Sequence, residues 1–198
     1  MLAKVGANGT TTAQMSAPYR LLLLQKAEKM KIGIIGFTNL RYMPYLRYYT
    51  DLFDRVGFEY EILYWDRRGL NEEWSVKTIA FKERVADSAL KTFKFSAMLK
   101  FRQFAKTKII DRQYNFLIIL TTLPAVLLGS FLRTAYSDRY VVDIRDYTYE
   151  KFSVYHFILK SILAKAAMRV ISSPSFKNFL PSLDYTCLLY TSPSPRDA

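Results

Sequence analysis

Short apolar runs alternate with segments of helical periodicity through most of the chain, and this alternation limits the fold more than any other feature. A short continuous apolar run suits a buried strand, whereas apolar residues spaced three or four positions apart suit a helix. The runs lie at residues 31–37, 58–65, 75–81, 115–120, 139–143 and 169–172, and the helical segments at 43–56, 87–112, 124–136, 152–168 and 173–180. Strands that are each followed by a helix favour an α/β fold with a doubly wound parallel sheet.

Charged side chains cluster at the end of the fifth predicted strand, in the sequence YVVDIRDYTYEK. Burial in a sheet accounts for the apolar residues of this run but not for Asp143, Arg145 and Asp146. Ligands of open α/β sheets bind in crevices outside the carboxyl ends of the strands, so these residues are candidates for a ligand site. An arginine held between two acids to fix the turn is the alternative interpretation, and the two are compatible.

The loop after the first predicted strand contains small and polar residues. Gly36 allows another group to approach the backbone closely, and Thr38 or Asn39 is suited to capping the next helix. A dinucleotide-binding fingerprint would need a third glycine within the stretch from Thr38 to Arg41, where none is present. The loop is therefore not recognised as a dinucleotide site.

The formal net charge of +12 and the isoelectric point near 9.7 favour an anionic partner, which could be a phosphorylated ligand, a nucleic acid or an anionic membrane surface. Solubility combined with a biased genome would give the same charge. Arg67 and Arg68 lie in the turn DRRG after the second predicted strand, where a solvated loop and an anionic ligand are both consistent with the sequence.

The segment at residues 87–112 combines apolar residues with many cations and few acids. A basic amphipathic helix with exposed aromatic side chains is typical of membrane-surface proteins, and an ordinary packing helix with solvated charges is the alternative. No apolar run approaches the roughly 20 residues of a membrane-spanning helix, so membrane contact would be at the surface. The candidate contacts to an anionic membrane or ligand are Arg67, Arg68, Lys91, Lys94, Lys100, Arg102, Lys106 and Lys108.

The two ends of the chain differ from the rest. Residues 1–29 are polar and without sustained periodicity, so we expect a poorly structured extension, with Met30 as a candidate start. Residues 187–197, CLLYTSPSPRD, can be back-translated into the adapter of a transposase-based sequencing library. We therefore expect residues 186–198 to be a disordered, adapter-derived tail and the natural protein to continue further. The single cysteine, Cys187, lies in that tail, so a disulfide framework is excluded and a reducing compartment is expected.

Three stretches together resemble the N-terminal domain of a family 4 glycosyltransferase of the GT-B class. They are MKIGIIGF at the first strand, VVDIRDYTYEK at the fifth and RVISSPSFKNFLP after the next helix. Within that family the chain is most similar to bacterial enzymes of capsule or exopolysaccharide assembly. The resemblance covers residues 30–185, and it implies a Rossmann-like domain that is the N-terminal, acceptor-side half of a GT-B fold.

The resemblance implies an enzyme that transfers a sugar from a nucleotide-sugar donor to a saccharide acceptor, often lipid-linked, in a cleft between two such domains. The C-terminal domain, which would hold the nucleotide and a glutamate-containing donor motif, would be missing here. The fragment would then bind no cofactor and would be inactive alone. Its expected location is cytoplasmic, peripheral at the inner face of the cell membrane.

The resemblance also implies which residues lie at the cleft. They are Gly36, Thr38 and Asn39 in the loop after the first strand, and Asp143, Arg145 and Asp146 beside the site of sugar transfer. Many relatives have a His-Asp pair where this chain has Arg145 and Asp146. Because an arginine stays protonated, Arg145 could stabilise a negative charge but could not transfer a proton. No catalytic residue is assigned, and the chain has no Asp-x-Asp motif for a metal.

Two other functions stay open on the sequence. The positive charge and many tyrosines would suit a nucleic-acid-binding module, but the aromatic residues fall on apolar stripes and no such motif is present, so no nucleic acid is expected. A stand-alone Rossmann-like domain for a phosphorylated ligand is the other alternative, although its phosphate loop would be weak.

Overall fold

The computed structural model describes residues 30–146 and 152–187. The predicted extension at residues 1–29 and most of the predicted tail, residues 188–198, lie outside the described residues, so both stay predictions. The first two residues of that tail, Thr186 and Cys187, form a short strand that continues the sheet.

In the part of the chain that the structure describes, one sheet of seven parallel strands organises the fold. Each of the six apolar runs overlaps a strand, because strands covered on both faces need apolar side chains on both. The strands are β1 (Lys31–Ile35), β2 (Glu59–Trp65), β3 (Thr78–Phe81), β4 (Phe116–Leu120), β5 (Tyr140–Ile144), β6 (Met168–Ile171) and β7 (Thr186–Cys187), in the spatial order β3-β2-β1-β4-β5-β6-β7. The predicted α/β fold with a doubly wound parallel sheet is confirmed.

Helices cover both faces of the sheet. The α-helices are α1 (Leu46–Val56), α2 (Lys91–Arg112), α3 (Thr122–Leu127), α4 (Gly129–Ala135) and α5 (Ser153–Leu163), and 3-10 helices span Leu40–Tyr42 and Pro174–Asn178. α1 packs through Leu46 and Phe53 into the core on one face. The other helices pack through residues such as Phe101 and Leu159 into the core on the opposite face. The chain therefore changes face between β1 and β4, which is where ligands bind in open sheets of this kind.

The segment at 124–136, predicted as one helix, is divided into α3 and α4. The helical path is interrupted at Leu128, whose φ is −90° and ψ is 1°. Gly129 follows directly, and a Cβ at this position would lie 2.5 Å from Ile162 Cδ1 of α5. A side chain at this position would therefore displace Ile162, and the glycine also weakens the helix at that point.

A buried carboxylate lies in β2, where simple alternation of apolar and polar residues predicts a solvent-facing one. The Glu61 side chain is 1% exposed, and its carboxylate lies 3.7 Å from Lys31 Nζ, 2.5 Å from Lys77 Nζ and 3.6 Å from Arg112 Nε. The Tyr114 hydroxyl donates a further hydrogen bond of 2.6 Å to Glu61 Oε2. Glu61 thus ties β1 and β2 to the end of α2 near the amino edge of the sheet, away from the predicted ligand site.

Candidate functional site

A buried ion pair lies at the carboxyl edge of the sheet, where β5 meets α1. Asp143 is fully buried, and its Oδ2 accepts hydrogen bonds of 2.6 Å from the Tyr49 hydroxyl and 2.6 Å from Arg145 Nη2. Side chains alternate along a strand, so Val142 and Ile144 enter the core on the α2 face and Asp143 points towards α1.

The environment of the Asp143 carboxylate acts in two directions. Burial raises the pKa of Asp143, while the Arg145 guanidinium and the Tyr49 hydroxyl act to lower it. Asp143 Oδ1 is also buried and has no hydrogen-bond partner among the described residues. A buried acceptor in this state costs about 1–3 kcal/mol, and such groups are uncommon in folded proteins.

Arg145 is held from two sides. Nη2 contacts Asp143, and the guanidinium carbon lies 4.8 Å from the centre of the Tyr45 ring. The side chain is 9% exposed, so its charge is fixed rather than freely solvated. A cation held in this way at a strand end can stabilise a phosphate or a developing negative charge but cannot transfer a proton.

Asp146 lies next to this pair and is exposed. Burial first, and then the charges of Asp143 and Asp146, raise the pKa of Tyr45 far above its usual value, so Arg145 stacks on a neutral phenol. Asp143, Arg145 and Asp146 therefore lie together at the end of β5. Arg145 pairs with Asp143, as expected if the arginine fixes the turn. Their role in lining a cleft stays a prediction.

The loop after β1 uses its polar groups internally. Asn39 is fully buried; its Nδ2 donates to Asp66 Oδ1 at 2.6 Å and to Glu72 Oε2 at 3.1 Å, and its Oδ1 accepts from the Arg68 backbone N–H at 3.2 Å. The Asn39 side chain thus joins the loop after β1 to the loop after β2. The predicted contact of this loop with a cleft is not tested by these bonds.

Gly36 and Thr38 lie in the same loop. A Cβ at Gly36 would lie 2.6 Å from Met43 Sδ and Cε, so the glycine lets the buried Met43 side chain pack against the end of β1. Thr38 is half-buried. Both residues are at the carboxyl edge, after β1, which lies two strand positions from β5 in the sheet. Their place in a cleft stays a prediction.

The capping prediction for Thr38 or Asn39 is wrong. Asn39 precedes the 3-10 helix but makes no side-chain cap hydrogen bond. The Glu72 carboxylate instead accepts from the Leu40 N–H at 2.8 Å and from the Arg41 N–H at 2.9 Å. The cap comes from a residue 32 positions beyond Leu40, which no local sequence pattern can indicate.

Arg67 and Arg68 follow β2 at the same edge of the sheet. Their Nη2 atoms lie 3.3 Å and 3.0 Å from the carboxylate of Asp87. Arg68 also stacks over the Tyr42 ring at 5.1 Å and donates a 3.0 Å hydrogen bond to its hydroxyl. Tyr42 and Tyr45 are three residues apart, so one short segment after β1 holds both Arg68 and Arg145. β2 and β5 are three strand spacings apart, which is about 14 Å.

α2 packs as an ordinary helix along one stripe, formed by Ala97, Phe101, Ala105 and Ile109. Four of its predicted contact cations have partners within the protein. Lys94 donates to the Asp87 carbonyl, Lys100 pairs with Glu83, Lys106 lies over the Phe131 ring and Lys108 lies 4.0 Å from Asp111. The packing interpretation therefore holds for this face, while the first turns expose Leu90, Phe93 and Phe95.

Within residues 30–146 and 152–187, no helix is long and apolar enough to cross a membrane.

Sequence reasoning missed Tyr45, Tyr49 and Glu72. The two tyrosines lie on the apolar stripe of the helical segment at 43–56, and helical periodicity alone assigns such a stripe to core packing. A signal was present, since a buried tyrosine hydroxyl normally needs a hydrogen-bond partner. Tyr49 finds that partner in Asp143.

No family model matches the chain, and no curated protein matches it. Among solved structures, sucrose-phosphate synthase from Thermosynechococcus elongatus matches with a TM-score of 0.59 and 14% identity, over 81% of this chain and 47% of that chain. A shorter structure of the same enzyme matches with a TM-score of 0.55 and 14% identity, over 83% of this chain and 91% of that chain. The chain spans about half the length of the first structure. At this identity the likeness shows the fold, a Rossmann-like α/β domain that corresponds to half of the synthase.

Proposed function

We propose that the chain is the acceptor-side half of a glycosyltransferase, which transfers a sugar from a nucleotide-sugar to a lipid-linked saccharide in the synthesis of cell-surface polysaccharide. The observation that carries the proposal is the parallel sheet, which matches half of a GT-B glycosyltransferase and has Asp143 and Arg145 at its carboxyl edge. The stretches VVDIRDYTYEK and RVISSPSFKNFLP support the same family from the sequence.

In such a transfer the acceptor hydroxyl oxygen forms a bond to the anomeric carbon of the donor sugar, and the bond from that carbon to the nucleoside diphosphate breaks. The diphosphate leaves with the electrons of that bond and takes up the proton of the acceptor hydroxyl. Arg145 supplies a fixed positive charge beside this site, where it stabilises the charge that develops on the leaving group. Asp143 and Tyr45 position the guanidinium. Asp143 is fully buried and paired, so it acts as a positioning residue and not as the general base.

A lipid-linked acceptor would bring the protein to the anionic inner face of the cell membrane. The start of α2 supports this part of the proposal, because Phe93 and Phe95 are 67% and 59% exposed. Lys91 and Arg102 are exposed on the same helix, and each cation near an anionic leaflet contributes about 1 kcal/mol. Two cations and two aromatic rings would hold the protein there reversibly.

A nucleic-acid-binding function receives less support. Stacking of bases needs exposed aromatic rings. In the part of the chain that the structure describes, many of the tyrosines are buried in the core: Tyr49, Tyr60, Tyr64, Tyr114, Tyr136 and Tyr140.

Binding of an uncharged saccharide tests the acceptor-side proposal. Oligosaccharides released from capsular or exopolysaccharide are titrated into the isotope-labelled chain, with free nucleosides as the comparison. The backbone amide resonances of Gly36, Arg145 and Asp146 are expected to shift with oligosaccharide and to stay in place with nucleoside. Shifts with nucleoside and none with any saccharide would contradict the proposal.

A further inference from the structure

A cavity of about 280 Å³ lies at the carboxyl ends of β2 and β3. Three arginines and one aspartate supply its charged lining, so positive charges exceed negative ones by two. The lining residues are Arg67, Arg68, Arg84, Val85, Ala86 and Asp87. Arg84 was not singled out by the sequence, because it lies far along the chain from the DRRG turn.

Backbone hydrogen bonds build this cavity. The Val85 N–H donates to the Arg67 carbonyl at 3.1 Å, and Arg67 Nε donates back to the Val85 carbonyl at 3.4 Å. The Asp66 N–H donates to the Phe81 carbonyl at 3.0 Å, next to the same loop. The loops after β2 and β3 are thus joined, and the arginines are brought together by the fold and not by a chance approach of exposed side chains.

Two of the arginines already converge on an oxyanion. Arg67 and Arg68 lie 3.3 Å and 3.0 Å from different oxygens of the Asp87 carboxylate. The Asp87 side chain is 71% exposed, so it can swing away at little cost. Convergence of guanidinium groups on one group of oxygens is the geometry by which arginine binds phosphate.

The third arginine is placed by a glycine. Gly69 has a φ of 67°, and a Cβ at this position would collide with the Arg84 guanidinium. Arg84 makes no hydrogen bond or ion pair with any other residue that the structure describes. Its charge is therefore available to a ligand, and its removal leaves no partner behind.

We propose that Arg67, Arg68 and Arg84 form a binding site for a phosphate or pyrophosphate group, with Asp87 as the internal group that the ligand displaces. The cavity is slightly smaller than the roughly 300–1,000 Å³ typical of small-molecule pockets, so it suits a phosphate group better than a whole nucleotide-sugar. The site lies three to four strand spacings from β5, about 14–19 Å, which fits the phosphate end of an oligosaccharide acceptor whose terminal sugar lies near Arg145. That assignment to an acceptor rests on the proposed function, whereas binding of the anion does not.

Calorimetric titration with inorganic pyrophosphate at constant ionic strength tests the site. The wild-type chain is expected to bind saturably, and Arg84→Ala to bind about tenfold more weakly, because a charge-assisted hydrogen bond is lost. Arg55→Ala is the matched control, since Arg55 is exposed on α1, outside the cavity, and its loss changes the net charge equally. Melting temperatures of the variants show that each is folded.

Asp87→Asn gives the sharpest result, because only one of the two interpretations of Asp87 predicts tighter pyrophosphate binding. If Asp87 competes with the ligand, its neutralisation strengthens pyrophosphate binding several-fold. If Asp87 only clamps the loops, the same change weakens binding or leaves it unaltered, and that would overturn its assigned role. The site itself is overturned if wild-type protein shows no saturable binding, or if Arg55→Ala weakens binding as much as Arg84→Ala does.

Vesicles separate a lipid-borne phosphate from a soluble one. Phosphatidylcholine vesicles with and without phosphatidic acid are sedimented with wild-type protein and with Arg84→Ala. Binding that depends on phosphatidic acid, is displaced by pyrophosphate and is weakened by Arg84→Ala supports a lipid-borne phosphate at this site. Vesicle binding that is neither displaced by pyrophosphate nor weakened by Arg84→Ala would overturn the lipid-borne assignment, since the contact with lipid would then lie elsewhere on the protein.

Discussion

The Tyr49 hydroxyl lies 2.6 Å from Asp143 Oδ2 and donates a hydrogen bond to it between α1 and β5. The two residues are 94 positions apart in the chain, and both are buried. The same oxygen of Asp143 accepts from Arg145 Nη2. The packing of α1 on the sheet is therefore coupled, through Asp143, to the position of the Arg145 guanidinium just after β5.

Tyr49→Phe is expected to lower the free energy of unfolding by about 1–2 kcal/mol, because a buried carboxylate loses one of its two donors. Urea unfolding at neutral pH measures the change. Tyr45→Phe is the matched control. It keeps the ring that stacks on Arg145, and the hydroxyl that it removes makes no hydrogen bond with any described residue. Equal effects of the two substitutions would contradict the coupling.

Glu61→Gln is expected to destabilise the protein by about 2 kcal/mol at pH 7, because partly exposed Lys31, Lys77 and Arg112 lose their shared anion. Burial opposes ionisation, but Lys77, Tyr114 and Lys31 together hold the pKa of Glu61 below its ordinary value of 4.5.

The pH dependence of that effect has a defined sign. A carboxyl whose pKa is lower in the folded state stabilises fully above about pH 4.5 and loses this contribution as the pH falls through the folded pKa. The difference between wild type and Glu61→Gln in urea unfolding should therefore narrow from pH 7 to pH 3. A difference that stays constant over this range would show that the charge of Glu61 is irrelevant.

Asn39→Asp is expected to destabilise the protein more than Asn39→Ala does, by about 1–2 kcal/mol, because it places a carboxyl against Asp66 and Glu72. Burial acts to raise the pKa of Asp66, but backbone N–H groups and the Asn39 amide lower it, so Asp66 stays ionised beside the new carboxyl. In thermal unfolding, the melting temperature of Asn39→Asp should approach that of Asn39→Ala as the pH is lowered, because the new carboxyl becomes neutral. No recovery would contradict the electrostatic explanation.

Combined substitution of Phe93 and Phe95 by Ser is expected to weaken binding to anionic vesicles about tenfold, because two exposed rings would no longer enter the lipid interface. Sedimentation with phosphatidylglycerol vesicles measures this. Phe157→Ser on α5 is the control, since Phe157 is even more exposed than Phe93 and Phe95 but lies on another helix. Wild-type protein that shows no preference for anionic over neutral lipid would contradict membrane binding.

Six of the seven described strands could be predicted from the sequence because each is a local apolar run, and the charged end of β5 because three charged residues lie within four positions. The two-residue strand β7 could not, because it lies in a segment whose composition predicts disorder. The contacts of Glu72 and Glu61 could not, because their partners are distant in the chain. Helical periodicity over residues 152–168 would place Phe157 and Ile158 on the buried face of α5 together with Ile162 and Leu163. In the structure Leu159, Ile162 and Leu163 are buried, whereas Phe157 and Ile158 are exposed. A helix that is apolar on most sides does not reveal from its sequence which side meets the sheet.

Sugar transfer is the most direct test of the proposed function. The longest natural protein that contains this chain is incubated with membranes and radiolabelled nucleotide-sugars, and label in the lipid extract is counted. Wild type and Arg55→Ala are predicted to transfer label, whereas Arg145→Gln, which keeps a donor for Asp143 but removes the charge, should lose about a hundredfold in kcat. Full transfer by Arg145→Gln, or no transfer from any nucleotide-sugar by wild-type protein, would contradict the proposal.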